Sequence, residues 1–251
     1  MKINKDIIPY LTGDEFSNYF PFQISEPEKI ITSRFKLLED IVKGKNIIHL
    51  GCCDHIPLIE NKIKTNTWLH ARIDKMANEC LGIDNNENGV EYLKTQLNYK
   101  KIIYADITKD EIIQLKEKKW DYIILGELLE HIDNPVTFLS IIREKYKNYI
   151  NEIIITVPNA LHYQNFNNAK KHYEYINSDH RFWFTPYTLG KILNKAGFII
   201  KEFCFTQEIS KKIGLRVKFK IFPYFKRKIE YYRLLKYPAL RTNLMMISKF
   251  Q

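Results

Sequence analysis

Residues 121–126 read DYIILG, and this stretch restricts the fold more than any other feature of the chain. An apolar run without polar alternation is a strand with neither face open to water. Parallel sheets with helices packed on both sides are built from such strands. The surrounding pattern agrees. Strands are predicted at 46–50, 79–83, 100–106, 121–126, 152–158, 198–205 and 243–250, and helices at 28–42, within 56–80, and at 88–97, 110–118, 136–146 and 187–196. Pro27 and Gly44 bracket the first helix, Asn134-Pro135 and Thr185-Pro186 read as cap and first helical position, and Gly197 follows the last helix. Strand–helix alternation of this kind predicts an α/β, Rossmann-like sheet of seven strands. Residues 1–44 are expected to form an N-terminal helical segment packing on the core, and 45–251 one domain with a lid loop at 159–184 and a basic insertion at 211–241.

The net charge of +10 resides in that insertion: residues 211–241 hold eleven Lys and Arg against the single acid Glu230, so the rest of the chain is near neutral. Aromatic residues are interleaved there, among them Tyr231, Tyr232 and Tyr237, which suits an anion-binding surface or a solvated basic face. The four cysteines, Cys52, Cys53, Cys80 and Cys204, have no metal-ligand spacing and are read as reduced, packed thiols. With no apolar run near membrane-spanning length and no signal-peptide pattern at the N-terminus, a cytoplasmic location is expected.

In sheets of this class ligands bind beyond the carboxyl ends of the central strands. Those ends carry Gly51, Asp84, Asp106, Gly126–Glu127 and Pro158–Asn159. A glycine after the first strand lets backbone approach a ligand, an acid after the second suits ribose hydroxyls, and an acid after the third can accept from an amino group. Taken with IIHLGCCDH, LGIDNN, YADI, WDYIILGELLEHIDNP, IIITVPN and HRFWFTPYTLGKILNKAGF, these ends make residues 45–205 and the final strand resemble the class I S-adenosylmethionine-dependent methyltransferases. The resemblance implies a mostly parallel sheet whose last strand is antiparallel, and S-adenosylmethionine as cofactor. It also implies cofactor contacts from His49, Gly51, Cys52, Cys53, Asp84, Asn85, Asp106, Ile107, Gly126 and Glu127, with Gly51 at the methionine part, Asp84 on the ribose, and Asp106 with Ile107 at the adenine. The family's D-x-G-x-G-x-G loop is altered here: His49 stands for the acid, Cys53 for the second glycine and His55 for the third.

Glu127, Glu130 and His131 follow the fourth strand at i, i+3, i+4, which on a helix is one face. With His180 from the loop NSDHRFWF they form a candidate site for Mg²⁺ or Mn²⁺, similar to that of small-RNA 2′-O-methyltransferases; ubiquinone-biosynthesis O-methyltransferases share the E-x-x-E-H part. Without a metal, His131 or His180 is the expected general base beside Glu127. Tyr163, Phe166, Tyr173 and Tyr175 are expected to serve a lid or to stack on sugar, Phe182 and Trp183 to pack beneath it, and His162 and His172 to face solvent; for His70, surface and pocket are both open.

The elements E-H-x-x-N-P, T-V-P-N, N-x-D-H and F-T-P-x-T-L together resemble methyltransferases encoded with bacterial capsule and surface-polysaccharide genes. The expected activity is therefore O-methylation of a nucleotide sugar, a heptose among the candidates, or of a capsular glycan. Two alternatives are an RNA ribose 2′-O-methyltransferase and a non-catalytic scaffold with a degenerate fold, held peripherally on anionic lipid by the basic segment.

Overall fold

The protein is described by a computed structural model that covers residues 1–2, 5–208 and 221–251, with side chains for 1–2, 6–208 and 228–251. Seven strands form one sheet: β1 (Asn46–Leu50), β2 (Glu79–Asp84), β3 (Ile102–Tyr104), β4 (Trp120–Gly126), β5 (Ile150–Pro158), β6 (Phe198–Thr206) and β7 (Asn243–Phe250), in the order β3-β2-β1-β4-β5-β7-β6. The first five pair in parallel, and β7 runs antiparallel to both β5 and β6. This is the expected fold class.

The period-two geometry of strands explains the apolar runs. Ile47, Ile124 and Ile154 point to one face, where α2 (Arg34–Val42) and α4 (Leu69–Met76) cover them through Phe35, Leu38, Val42 and Ile73. Ile48, Ile123, Ile153 and their i+2 neighbours point to the other, beneath α6 (Pro135–Tyr146) and α8 (Pro186–Lys195). The remaining helices are α1 (Ile8–Thr12), α3 (Ile56–Lys64), α5 (Glu87–Thr95), α7 (Tyr163–Ala169) and α9 (Ile221–Lys236). None among the described residues is long and apolar enough to cross a membrane.

Several local expectations are corrected. The helix expected over 28–42 begins only at Arg34, because Ser33 is extended (ψ 140°) and its hydroxyl caps Lys36 N–H, while Glu28 N–H is drawn away to Leu235 O at 2.8 Å. Residues 110–118 make a single 3₁₀ turn at Ile113–Leu115, since the Asp110 carboxylate accepts Asp106 N–H (2.8 Å) in a local turn that competes with helix. The third strand stops at Tyr104, leaving Asp106 in that turn. Residues 159–184 are not all loop; they include α7, whose Tyr163 hydroxyl donates to Glu230.

The basic segment divides. Residues 211–220 lie outside the described residues. Arg241 does not belong to a surface: it is 1% exposed, paired with Glu28 at 2.7 Å and donating to the carbonyls of Leu234 and Phe205. Arg233 stacks over the Tyr163 ring at 4.0 Å.

Candidate active site

The strand order reverses between β1 and β4, and a cleft lies beyond their carboxyl ends. Gly51 follows β1 with φ +73°, a conformation that costs a residue bearing a Cβ roughly 1 kcal/mol or more. An added Cβ would also stand 3.1 Å from Leu128 Cδ1. His55 has φ −57°, and Cys53 is not among the residues with positive φ. The loop thus needs one left-handed residue, and replacing the other two glycines costs it no strain. Restoring them by Cys53→Gly and His55→Gly is expected to leave S-adenosylmethionine affinity within about threefold, whereas Gly51→Val lowers stability by about 1–2 kcal/mol. Calorimetry and denaturant unfolding check the pair of outcomes.

The backbone of that loop is tied to β2. Asp84, 8% exposed, accepts Cys53 N–H at 2.8 Å on one oxygen and Asn86 N–H at 3.0 Å on the other. Burial raises its pKa in spite of these bonds, so further donors would stabilise the charge. Asp106 behaves differently. The Thr108 hydroxyl (2.6 Å), with Lys109 at 3.0 Å on the second oxygen, holds its pKa down to about 2. Both its oxygens are therefore already engaged, and Ile107, 3% exposed, supplies an apolar wall beside it.

After β4 the chain does not continue as a helix. Glu127 has φ +56°, unusual for a residue other than glycine, and a 3₁₀ turn at Leu129–His131 follows. The expected helical face is accordingly broken. Glu127 is turned toward Arg34 (3.0 Å) and accepts from Asn243 Nδ2 (3.1 Å), while Glu130, His131 and His180 place their ligating atoms within 4.8 Å of one another. His180 is brought in because Arg181 N–H donates to Glu130 O at 2.7 Å and the Arg181 guanidinium pairs with Asp133. The His131 and His180 rings meet edge-on with centroids 4.7 Å apart.

Glu130 is fully buried, and neither carboxylate oxygen has a hydrogen-bond partner among the described residues. Burial, then the charge of Glu127, pushes its pKa up to about 8. Burial and His131 lower that of His180, which keeps it neutral and able to accept a proton. Two bare carboxylate oxygens beside two imidazoles fit a cation with mixed nitrogen and oxygen preference, Mn²⁺ better than the oxygen-seeking Mg²⁺. Cys52, Cys53 and Asp84 also cluster, but the Cys53 contact and burial raise the Cys52 pKa and Asp84 is bound by backbone N–H groups, so this second group suits a metal poorly.

Glu130 also sets a pH dependence. Unfolded, it loses its proton near its ordinary value of 4.5; folded, near 8. Between these the native state holds more protons, so stability falls as pH rises. In chelator, Glu130→Gln is expected to stabilise the protein at pH 8 by on the order of a few kcal/mol and to do little at pH 4. Equal effects at both pH values in thermal unfolding would contradict this.

The residues expected to hold cofactor, metal or acceptor line one cleft of about 530 Å³: His49, Gly51, Cys52, Cys53, Asp84, Asn85, Asp106, Ile107, Gly126, Glu127, Glu130, His131 and His180. Arg34 lines it too and was not foreseen, because a lone basic residue at a helix start carries no spacing signal. His70 is buried against His49. His162 is half-buried rather than solvent-facing, and burial lowers its pKa. Phe182 lies exposed, Trp183 donates to Glu174 at 2.8 Å, and Phe184 takes the core position instead.

The chain matches the family model described as a methyltransferase domain over residues 23–202. No curated protein matches it. Among solved structures it is similar to magnesium protoporphyrin IX methyltransferase of Synechocystis PCC 6803 with bound SAH (12% identity, TM-score 0.50, 86% of this chain and 83% of that). A Haloferax volcanii complex of the Trm112 methyltransferase activator with a methyltransferase is also similar (13%, TM-score 0.52, 86% and 87%). So is the small RNA methyltransferase HEN1, of which only 27% is covered (13%, TM-score 0.53, 93% of this chain). At such identities these likenesses establish the fold.

Proposed function

The chain belongs to the methyltransferase-domain family, and on that premise we propose that this S-adenosylmethionine-dependent methyltransferase acts on a hydroxyl oxygen, that of a sugar in a nucleotide sugar or capsular glycan. The observation that carries the proposal is the unpartnered Glu130 carboxylate beside His131 and His180 in the cleft that Gly51 and Asp84 line. An alcohol is a weak nucleophile near pH 7, so a base beside it matters, whereas a carbon or arylamine acceptor would need less.

In this reading Gly51 and Gly126 border the methionine part and Asp84 the ribose, which directs the sulfonium methyl toward Glu130, His131 and His180. The acceptor oxygen attacks the methyl carbon in line, the carbon–sulfur bond breaks, S-adenosylhomocysteine leaves, and an imidazole takes the hydroxyl proton. Glu130, His131 and His180 would hold a divalent cation, which lowers the pKa of a bound hydroxyl. Exposed Tyr173 and Tyr175 in the lid offer ring faces to a sugar.

The same cluster favours a second reading, RNA ribose 2′-hydroxyl methylation, which needs a phosphate-tracking surface as well. The burial of Arg241 and the stacking of Arg233 on Tyr163 reduce the basic surface among the described residues, so the sugar reading stands first. Transfer of labelled methyl from S-adenosylmethionine to a panel of nucleotide sugars, glycans and short RNAs, with and without chelator, tests both. Transfer to a sugar supports the proposal; transfer to RNA alone overturns it.

A further inference from the structure

We propose that His70 is a positioning residue: it fixes the tautomer of His49, so that a bare imidazole nitrogen faces the end of the cleft where the α-ammonium group of S-adenosylmethionine sits. The inference rests on the cofactor reading above and adds residues that recognise the cofactor's amino-acid end.

His49 and His70 are 2% and 1% exposed, with ring planes 11° apart, centroids 5.3 Å apart and Nδ1 atoms 3.1 Å apart. Two imidazole nitrogens at that distance share one proton, because two N–H groups would collide and two lone pairs would repel. The surroundings decide which ring carries it. Cys80 Sγ lies 3.8 Å from His70 Nδ1. Burial raises the pKa of this thiol well above its ordinary value, so it keeps its proton and is able to donate. A donor there favours a lone pair on His70 Nδ1. His49 then carries the proton on Nδ1, and its Nε2 is bare.

The opposite end selects the same tautomer. The positive charge of Arg34 acts on His49, and a cation favours a facing lone pair over a facing N–H. His49 Nε2 points toward the end of β4, 3.7 Å from where a Cβ on Gly126 would stand, and has no hydrogen-bond partner among the described residues. Two further buried atoms at this end share that condition: Arg34 Nε, a donor, and Glu127 Oε1, an acceptor. The Arg34–Glu127 pair, 3.0 Å apart, is close but not aligned as a hydrogen bond. One guanidinium donor, one carboxylate acceptor and one imidazole acceptor complement a zwitterion. The amino acid's carboxylate takes hydrogen bonds from Arg34, and its ammonium gives them to Glu127 and His49. A neutral acceptor at position 49 does this without placing a second negative charge beside Glu127.

The test compares two probes by calorimetry: S-adenosylhomocysteine, and methylthioadenosine, which keeps the nucleoside and sulfur but lacks the amino-acid end. His70→Phe and His49→Phe are each expected to weaken S-adenosylhomocysteine on the order of tenfold, the scale of one charged hydrogen bond, while methylthioadenosine changes less than about twofold. His49→Gln, whose amide oxygen replaces the bare nitrogen, is expected to recover most of the affinity, and adding His70→Phe to it to have no further effect. Nitrogen NMR of the wild-type His49 ring, which needs no variant to fold, is expected to show the proton on Nδ1. Parallel loss of both probes in His70→Phe, or a proton on Nε2, would overturn the proposal and leave the cofactor site standing. Failure of the wild type to bind either probe would instead overturn the cofactor reading, and this inference with it.

Discussion

Asp84→Ala is expected to weaken S-adenosylmethionine binding by about 2–3 kcal/mol, on the order of 30- to 150-fold, the scale of charged hydrogen bonds lost from a buried carboxylate. Asp84 is well placed for so large an effect. It is 8% exposed, deprived of water by burial, and oriented by the N–H groups of Cys53 and Asn86. The substitution also frees those two donors, so part of the loss passes through the β1 loop. Asp84→Asn is the milder change, because it keeps an acceptor for one of the two N–H groups while removing the charge and the second acceptor. Calorimetric titration reads both variants, and an unchanged dissociation constant in Asp84→Ala would remove the ribose assignment.

A second large effect is expected from the acid–imidazole cluster. Glu130→Gln, His131→Ala and His180→Ala are each expected to lower kcat by on the order of 10²–10⁴ while leaving cofactor affinity nearly unchanged, the pattern of groups that act on the acceptor rather than on the nucleoside. The contrast with Asp84→Ala is the informative feature: one substitution acts on binding, the others on turnover. If a divalent cation is held there, chelation of the wild type reproduces the Glu130→Gln defect, and chelation of Glu130→Gln adds little. Loss of cofactor affinity in all three variants would instead give the cluster a structural role.

Much of this was legible in the chain. Continuous apolar runs such as DYIILG and EIIITVP specify strands buried on both faces, and the structure covers them with α2 and α4 on one side and α6 and α8 on the other. That the strand-end residues share one cleft was legible as well, since acids and glycines at strand ends need only the strand boundaries to be placed. What escaped detection depended on backbone conformation or distant packing. A helical spacing at 127–131 concealed the positive φ of Glu127, which separates that carboxylate from Glu130 and hands it to Arg34 and Asn243. Arg34 reaches the site only because α2 starts there, capped by Ser33, and packs on the sheet through Phe35 and Leu38. The charge count of residues 211–241 likewise did not distinguish Arg241, a buried partner of Glu28, from a surface cation. The sequence shows two glycines of the first loop replaced, by Cys53 and His55, without showing what that costs. In the structure only Gly51 needs the freedom glycine gives.

The most direct test of the central claim is an experimental structure of the complex with S-adenosylhomocysteine. The ribose hydroxyls are expected on Asp84, the amino-acid end between Arg34, His49 and Glu127, and the sulfur aimed at Glu130, His131 and His180. A cofactor bound outside this cleft, or one seated in it with its sulfur directed away from those three side chains, would contradict it.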